Sequence, residues 1–262
     1  AVESVKIKQA EKQNDYQEGI LLKDVSFSYE GRKEVLHNIN IKIEKSKITA
    51  LVGLSGCGKS TIASLLMKFI YPSSGAIYLN GTDYACMNRE QIGKHIVMVP
   101  QTVNLFNDTI RNNLLLANPS ASDEQLWQVL HEVSLDKHIQ RMPNGLDTMV
   151  SEFGSNLSGG QKQMMGIARA LLTDAEYIIF DEATSAVDPE SEKIIWDCID
   201  KLSKKRTLII ISHRLSAIRN ADQIIVLRAG IVEEIGDHDE LMQNQGLYRE
   251  LVEEQKTLEV QA

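Results

Sequence analysis

Apolar and polar residues alternate from Leu22 to Phe27 and again from Ile39 to Ile43, the period-two pattern of half-buried antiparallel strands. An unbroken apolar run follows, Ile48-Thr49-Ala50-Leu51-Val52. Beyond a glycine-bearing stretch, Ile62, Leu65, Leu66, Phe69 and Ile70 recur at helical spacing, with Pro72 just past them. Ala76 to Leu79 and His95 to Val99 read as further strands, the second ending at Pro100-Gln101. From Asp108 through Arg141 the period is mostly helical, and Ser122-Asp123-Glu124-Gln125 predicts a helix start ahead of Leu126, Val129, Leu130 and Val133. Strands then return at Tyr177 to Phe180, Thr207 to Ile211, Ile224 to Leu227 and Ile231 to Glu234, with a helix from about Glu190 to Leu202. Strands alternating with helices predict an α/β fold, a mostly parallel sheet with its ligand at the strands' carboxyl ends, interrupted by a helical insertion.

Composition narrows the class. At 262 residues and 43% apolar content the chain can bury a sizeable core as one large domain, with or without subdomains. A net charge of −8 argues against a nucleic-acid partner. Cys57, Cys86 and Cys198 are an odd number at wide spacings with no C-x-x-C pair, which points to neither a disulfide framework nor a zinc site and fits a reducing compartment. No apolar run approaches the ~20 residues of a membrane span, and the N-terminus has no signal-peptide pattern. Residues 1–18, with Lys6, Lys8, Glu11, Lys12 and Asp15, read as a linker.

The chemistry sits between the first apolar run and the helix after it. Gly53-Leu54-Ser55-Gly56-Cys57-Gly58-Lys59-Ser60 fits G-x-x-x-x-G-K-[ST] at every fixed position. Glycines at 53, 56 and 58 let successive N–H groups turn inward around phosphate oxygens, and a helix opening at Lys59 adds its positive end. The pattern assigns Lys59 to the β- and γ-phosphates and the Ser60 hydroxyl to Mg²⁺. Cys57 stands at a variable position, where it reads as a solvent-reachable filler rather than a redox switch. A second cluster, Asp181-Glu182, ends the apolar strand Tyr177-Ile178-Ile179-Phe180. Asp181 suits the metal, and Glu182 suits orienting or deprotonating an attacking water. A third, Leu157-Ser158-Gly159-Gly160-Gln161, precedes Met164, Ile167, Ala168, Leu171 and Leu172 at helical spacing, with Ser158 a natural N-cap and two glycines exposing N–H groups. Taken alone, that last segment reads better as a glycine hinge before a helix.

Together these motifs, with Gln101, Asp188 and His213 in the same order and approximate spacing, resemble the nucleotide-binding domain of ATP-binding cassette (ABC) transporters from about Ile20 to Leu251. The resemblance implies a phosphate-loop NTPase core with a mostly parallel sheet, an N-terminal antiparallel β subdomain and a helical subdomain inserted at about 102–170. It divides the chain into a leader at 1–18 from a missing upstream membrane domain, an ATPase domain at 19–256 and a flexible tail at 257–262. It implies ATP and Mg²⁺ as cofactors, with nucleotide contacts at Tyr29 (an adenine stack), Gly53, Ser55, Gly56, Cys57, Gly58, Lys59, Ser60 and Thr61. Magnesium falls to Ser60, Gln101 and Asp181, and catalysis to Glu182, His213 and Gln101. Ser158, Gly159, Gly160 and Gln161 contact the ATP held by an opposite subunit, so the partner is a second such domain, identical or related. Ser185-Ala186-Val187-Asp188 matches the loop joining the two.

Two stretches resemble the exporter branch, in which the ATPase follows a membrane domain on the same chain at the cytoplasmic face of a membrane. They are Leu105-Phe106-Asn107-Asp108-Thr109-Ile110-Arg111-Asn112-Asn113 and Thr148-Met149-Val150-Ser151-Glu152-Phe153-Gly154, with Glu152 matching the residue that touches the membrane domain. Ser46, Ser151, Phe153 and Met164 depart from the family's commoner residues: glycine at the first two, a basic residue at the others. The alternatives are an importer's separate ATPase subunit and a soluble, non-transport ABC ATPase.

Overall fold

The computed structural model describes residues 18–31, 33–151, 154–184, 187–212 and 218–261, the side chains of 258–261 excepted. Strand β1 (Ile20–Ser28) pairs antiparallel with β2 (Glu34–Ile43) and with β4 (Ser74–Leu79), and a short β5 (Thr82–Asp83) completes a four-stranded sheet ordered β2-β1-β4-β5. The second sheet is built on β3 (Ile48–Val52), β6 (Ile96–Val99), β7 (Tyr177–Asp181), β8 (Thr207–Ile211), β9 (Gln223–Arg228) and β10 (Ile231–Gly236), in the order β10-β9-β3-β8-β7-β6. Every neighbouring pair in it is parallel except β10 with β9.

The parallel strands read as apolar runs because both their faces are covered. Ile178, Phe180, Leu208, Ile210, Ile224 and Val226 point into one buried cluster, shared with the helices α3 (Ile110–Leu115), α4 (Asp123–Glu132), α6 (Gly159–Leu171) and α7 (Pro189–Ser203). Their neighbours Tyr177, Ile179, Ile209, Ile211, Ile225 and Leu227 point the other way, into a cluster formed with α1 (Lys59–Leu66) and the antiparallel sheet. Burying each such side chain contributes about 1.5–3 kcal/mol before the entropy of ordering it. The helical insertion lies between β6 and β7 and also holds α5 (Asp136–Gln140). Ser122 caps α4 through a reciprocal bond pair with Gln125, as its sequence predicts.

Three local readings are corrected. The helix after the phosphate loop stops at Leu66, because Lys68 turns left-handed (φ 53°) and its ammonium is drawn to the carbonyls of Tyr84 and Met87. Phe69 is consequently exposed, under the Arg89 guanidinium at 4.4 Å. His95 ends a helix, α2 (Arg89–His95), rather than opening β6, since Asn88 and Gln91 form a capping box that starts a turn there. At the C-terminus α8 (His238–Gln243) is followed by α9 (Leu247–Gln261), so helix runs through 257–261 where a tail is expected from sequence; the Thr257 hydroxyl bonds back to the Glu253 carbonyl.

Candidate nucleotide site

The phosphate loop joins β3 to α1 and is wedged against the β9–β10 hairpin. Gly53 has φ +141°, and a Cβ there would lie 2.2 Å from the Leu227 carbonyl oxygen, so only glycine fits. The hairpin turn in turn donates from the Gly230 amide to the Cys57 carbonyl at 3.2 Å. Cys57 is 4% exposed and packed in the second core cluster, which corrects its reading as solvent-reachable; it is filler of the interior kind. Gly58, left-handed at φ 110°, caps α1 without a side-chain bond, and no acidic residue occupies the helix's first turn. The N–H groups of that turn are therefore left for an anion.

Lys59 is 5% exposed, and its ammonium donates to the carbonyls of Gly53 at 2.8 Å and Leu54 at 3.1 Å, with Cys57 Sγ at 3.8 Å. These are neutral acceptors, and a buried cation held by dipoles alone sits in a field that favours a bound anion. Ser60 and Ser55 are exposed beside it and Thr61 is buried. Tyr29 follows β1 with its ring 40% exposed, braced edge-on by Phe27 at 4.8 Å.

Strand order brings the acids to the same edge. Leu51 and Asp181 both pair with Ile211, one from each side, so Asp181 stands across β8 from the loop-bearing strand, roughly 10 Å away at the usual strand spacing. Glu182 comes next with φ 50°, an uncommon backbone state for a residue with a Cβ, and its amide is pinned to the Ile211 carbonyl at 2.9 Å. Gln101, just past β6, donates from Nε2 to Glu182 Oε2 at 3.1 Å. One hydroxyl, one carboxylate and one amide oxygen are a donor set that Mg²⁺ accepts when phosphate oxygens and water complete its shell. The residues present thus fit the nucleotide and the metal.

The glycine pair opens α6. Ser158 caps α6 in a capping box: its hydroxyl accepts from the Gln161 amide at 3.2 Å while Gln161 Oε1 accepts from the Ser158 amide at 2.9 Å. Gly159 is exposed; Gly160 is buried against α7, where an added Cβ would meet Ser191 Cβ at 2.4 Å. Among the described residues no hydrogen bond links Ser158–Gln161 to the phosphate loop. The tie runs through α6 instead, where Gln163 donates to the Pro100 carbonyl at 3.0 Å, beside Gln101. Asp188 caps α7 by accepting from the Ser191 amide at 2.9 Å, and that bond holds its carboxyl below the ordinary range. His213, Arg214, Ser185, Ala186, Glu152 and Phe153 lie outside the described residues.

Sequence reasoning missed Arg169 and Asn113. The half-buried Arg169 guanidinium, its pKa lowered by burial, donates to the carbonyls of Asn104 and Asn113 and to Asn113 Oδ1. Asn113, fully buried, returns bonds to the Phe106, Asp108 and Thr109 carbonyls. The pair organises residues 104–113, and the segment 148–150 closes on it through Ile110 N to Thr148 O (3.0 Å) and Val150 N to Asp108 O (2.8 Å). The two stretches that resemble exporters are therefore neighbours. Nothing in their spacing signals this.

The family model for "ABC transporter" matches residues 36–185, more than half of the chain. The chain belongs to the ABC transporter family. It is 46% identical over 232 residues to an "ATP-dependent lipid A-core flippase" of Vibrio vulnificus (strain CMCP6), covering 88% of this chain and 40% of that protein. It is 44% identical over 235 residues to "Multidrug resistance protein pgp-1" of Caenorhabditis elegans, covering 89% of this chain and 18% of that one. Among solved structures, a "bacterial Atm1-family ABC exporter with ATP bound" matches at 36% identity and a TM-score of 0.87 over 95% of this chain and 44% of its own. The chain thus spans less than half the length of these relatives, and it corresponds to the ABC ATPase fold. Among its described residues no helix is long and apolar enough to cross a membrane.

Proposed function

We propose that this chain is the ATP-hydrolysing motor of a membrane exporter, working as a head-to-tail pair with each nucleotide held between the phosphate loop of one copy and Ser158–Gln161 of the other. The buried Lys59 ammonium, ringed by loop carbonyls, carries the nucleotide reading: a triphosphate supplies its countercharge. Gly53, Ser55, Gly56, Cys57, Gly58 and Thr61 line the phosphates with Lys59, and Tyr29 stacks on the base. Ser60, Asp181 and Gln101 would hold magnesium, which neutralises phosphate charge when bound there. Glu182 takes the proton of the water that attacks the γ-phosphorus; the bond to the bridging oxygen breaks and ADP and phosphate result. Gln101 keeps that carboxylate in place, and His213 contacts the γ-phosphate.

The paired arrangement is supported by the Ser158–Gln161 turn having, among the described residues, no hydrogen bond to the phosphate loop of the same copy. Export, rather than import, is supported by what the relatives' names say and by the adjacency of 104–113 and 148–150, a face that carries exposed Phe106 in the first segment and exposed Met149 in the second. In this reading a membrane domain on the same polypeptide meets that face at the cytoplasmic side, and ATP-driven closure moves it. Replacing Glu182 with Gln removes the proton acceptor but keeps the shape. The variant should bind ATP, hydrolyse it ~10²-fold more slowly or worse, and dimerise with ATP in sedimentation. Near-normal turnover would exclude Glu182 as the base, and a variant that stays monomeric with ATP at high concentration would count against the shared site.

A further inference from the structure

Gln161 is held at both ends. Its Oε1 accepts from the Ser158 amide at 2.9 Å, which leaves the NH₂ end facing outward, and that end lies 3.2 Å from Nε2 of His138, on α5. An amide NH₂ can only donate, so the imidazole nitrogen opposite it must accept, which selects neutral His138 with its proton on Nδ1. We propose that His138 is a positioning residue for the Ser158–Gln161 turn, and that its protonation releases the turn. The inference rests on the reading of that turn as a nucleotide contact.

The physical step is a change of sign at one atom. Protonated His138 carries N–H at Nε2, so two donors confront each other, and Gln161 must turn its amide, giving up the bond to the Ser158 amide, or move away. Either response loosens the cap that aims the first N–H groups of α6. His138 is exposed, so protons reach it. Among the described residues around it, His131 of α4 pairs with Asp136 at 2.9 Å, and Asp147, in the turn packed on α5, pairs with Arg111. Further charged residues on these elements are Glu132 of α4, Lys137 and Arg141 near His138 in sequence, and Lys162 next to Gln161. The contact is made by the neutral ring and lost by the protonated one.

The test compares this chain with His138→Phe, which has no acceptor, and His138→Gln, which offers a non-titrating one. At pH 8, His138→Phe should lose about three- to ten-fold in ATP turnover, the worth of one neutral hydrogen bond, and His138→Gln should recover most of it. Lowering the pH until ring NMR shows His138 protonated should cost the parent a similar factor relative to His138→Gln. Superimposed pH profiles of parent and His138→Gln, or full activity of His138→Phe at pH 8, would overturn the proposal. Nitrogen NMR of the ring gives a readout without turnover: at pH 8 Nε2 should be unprotonated, and an Nε2–H tautomer also overturns it. A chain that hydrolyses no ATP at any pH refutes the ATPase reading instead, and the tautomer then decides the contact by itself.

Discussion

Gly160→Ala tests how the Ser158–Gln161 turn is aimed. The added Cβ would lie 2.2 Å from Ser191 Oγ and 2.4 Å from Ser191 Cβ. Turning the serine side chain moves the oxygen but not its Cβ, so the first turns of α6 and α7 must part by about 1 Å to restore ordinary carbon contact. Overpacking of this kind costs about 1–3 kcal/mol, offset by up to ~1 kcal/mol of helix propensity gained over glycine. Stability should therefore fall only modestly, whereas on the proposed nucleotide contact a 1 Å displacement of Ser158–Gln161 costs ~10²-fold in rate. Ser191→Gly removes the obstructing atoms and leaves Ser191 Cα at 3.7 Å, an ordinary contact, while the backbone amide still serves the Asp188 cap. The double variant should regain most of the lost activity, with a coupling of at least ~1 kcal/mol in urea unfolding and in ATPase rate. Wild-type turnover in Gly160→Ala, or additive effects in the double variant, would refute the reasoning.

Ser46 is left-handed at φ 60° where family members more often carry glycine, so Ser46→Gly relieves about 1 kcal/mol of backbone strain and gives up a similar amount of unfolded-state entropy. Its unfolding midpoint in urea should stay within ~0.5 kcal/mol of the parent, and a large loss would mean that the side chain, not the amide bonded to Thr207 Oγ1, matters here. Glu176 is held below the ordinary carboxylate value by hydrogen bonds from Lys45 and His95, each at 2.9 Å. A depressed carboxyl stabilises in full above its ordinary value of 4.5, and that contribution is lost as pH falls through the lower folded value. Glu176→Gln should therefore be less stable than the parent at pH 7, with the gap closing below pH 4.5 in denaturant titrations; a gap independent of pH would contradict the assignment.

The departures from the family pattern gain physical accounts only in three dimensions. Met164 is 5% exposed in the main core cluster, a place for an apolar side chain. Ser151 avoids a positive φ and closes its turn through bonds to Ser155 and Asn156, so glycine is not required there. Exposed Phe69 shows the opposite failure. Its spacing continues a helical stripe, but the distant carbonyls of Tyr84 and Met87 capture Lys68 and end the helix first.

The strands, the capped helices and the phosphate loop were legible because each is written in local spacing: alternation, an unbroken apolar run, Ser122 three residues ahead of Gln125, and glycines before Lys59. Hydrogen-bonding reach along the chain is short, so such signals survive without tertiary information. What only the folded chain decided is which of these pieces meet. Strand order sets Asp181 across β8 from the loop, Gln101 finds Glu182 eighty-one residues away, Arg169 organises 104–113, and His138 reaches Gln161 from a separate helix. Those contacts join residues whose sequence separation carries no period, and only the packing of their elements on shared cores brings them within hydrogen-bonding reach.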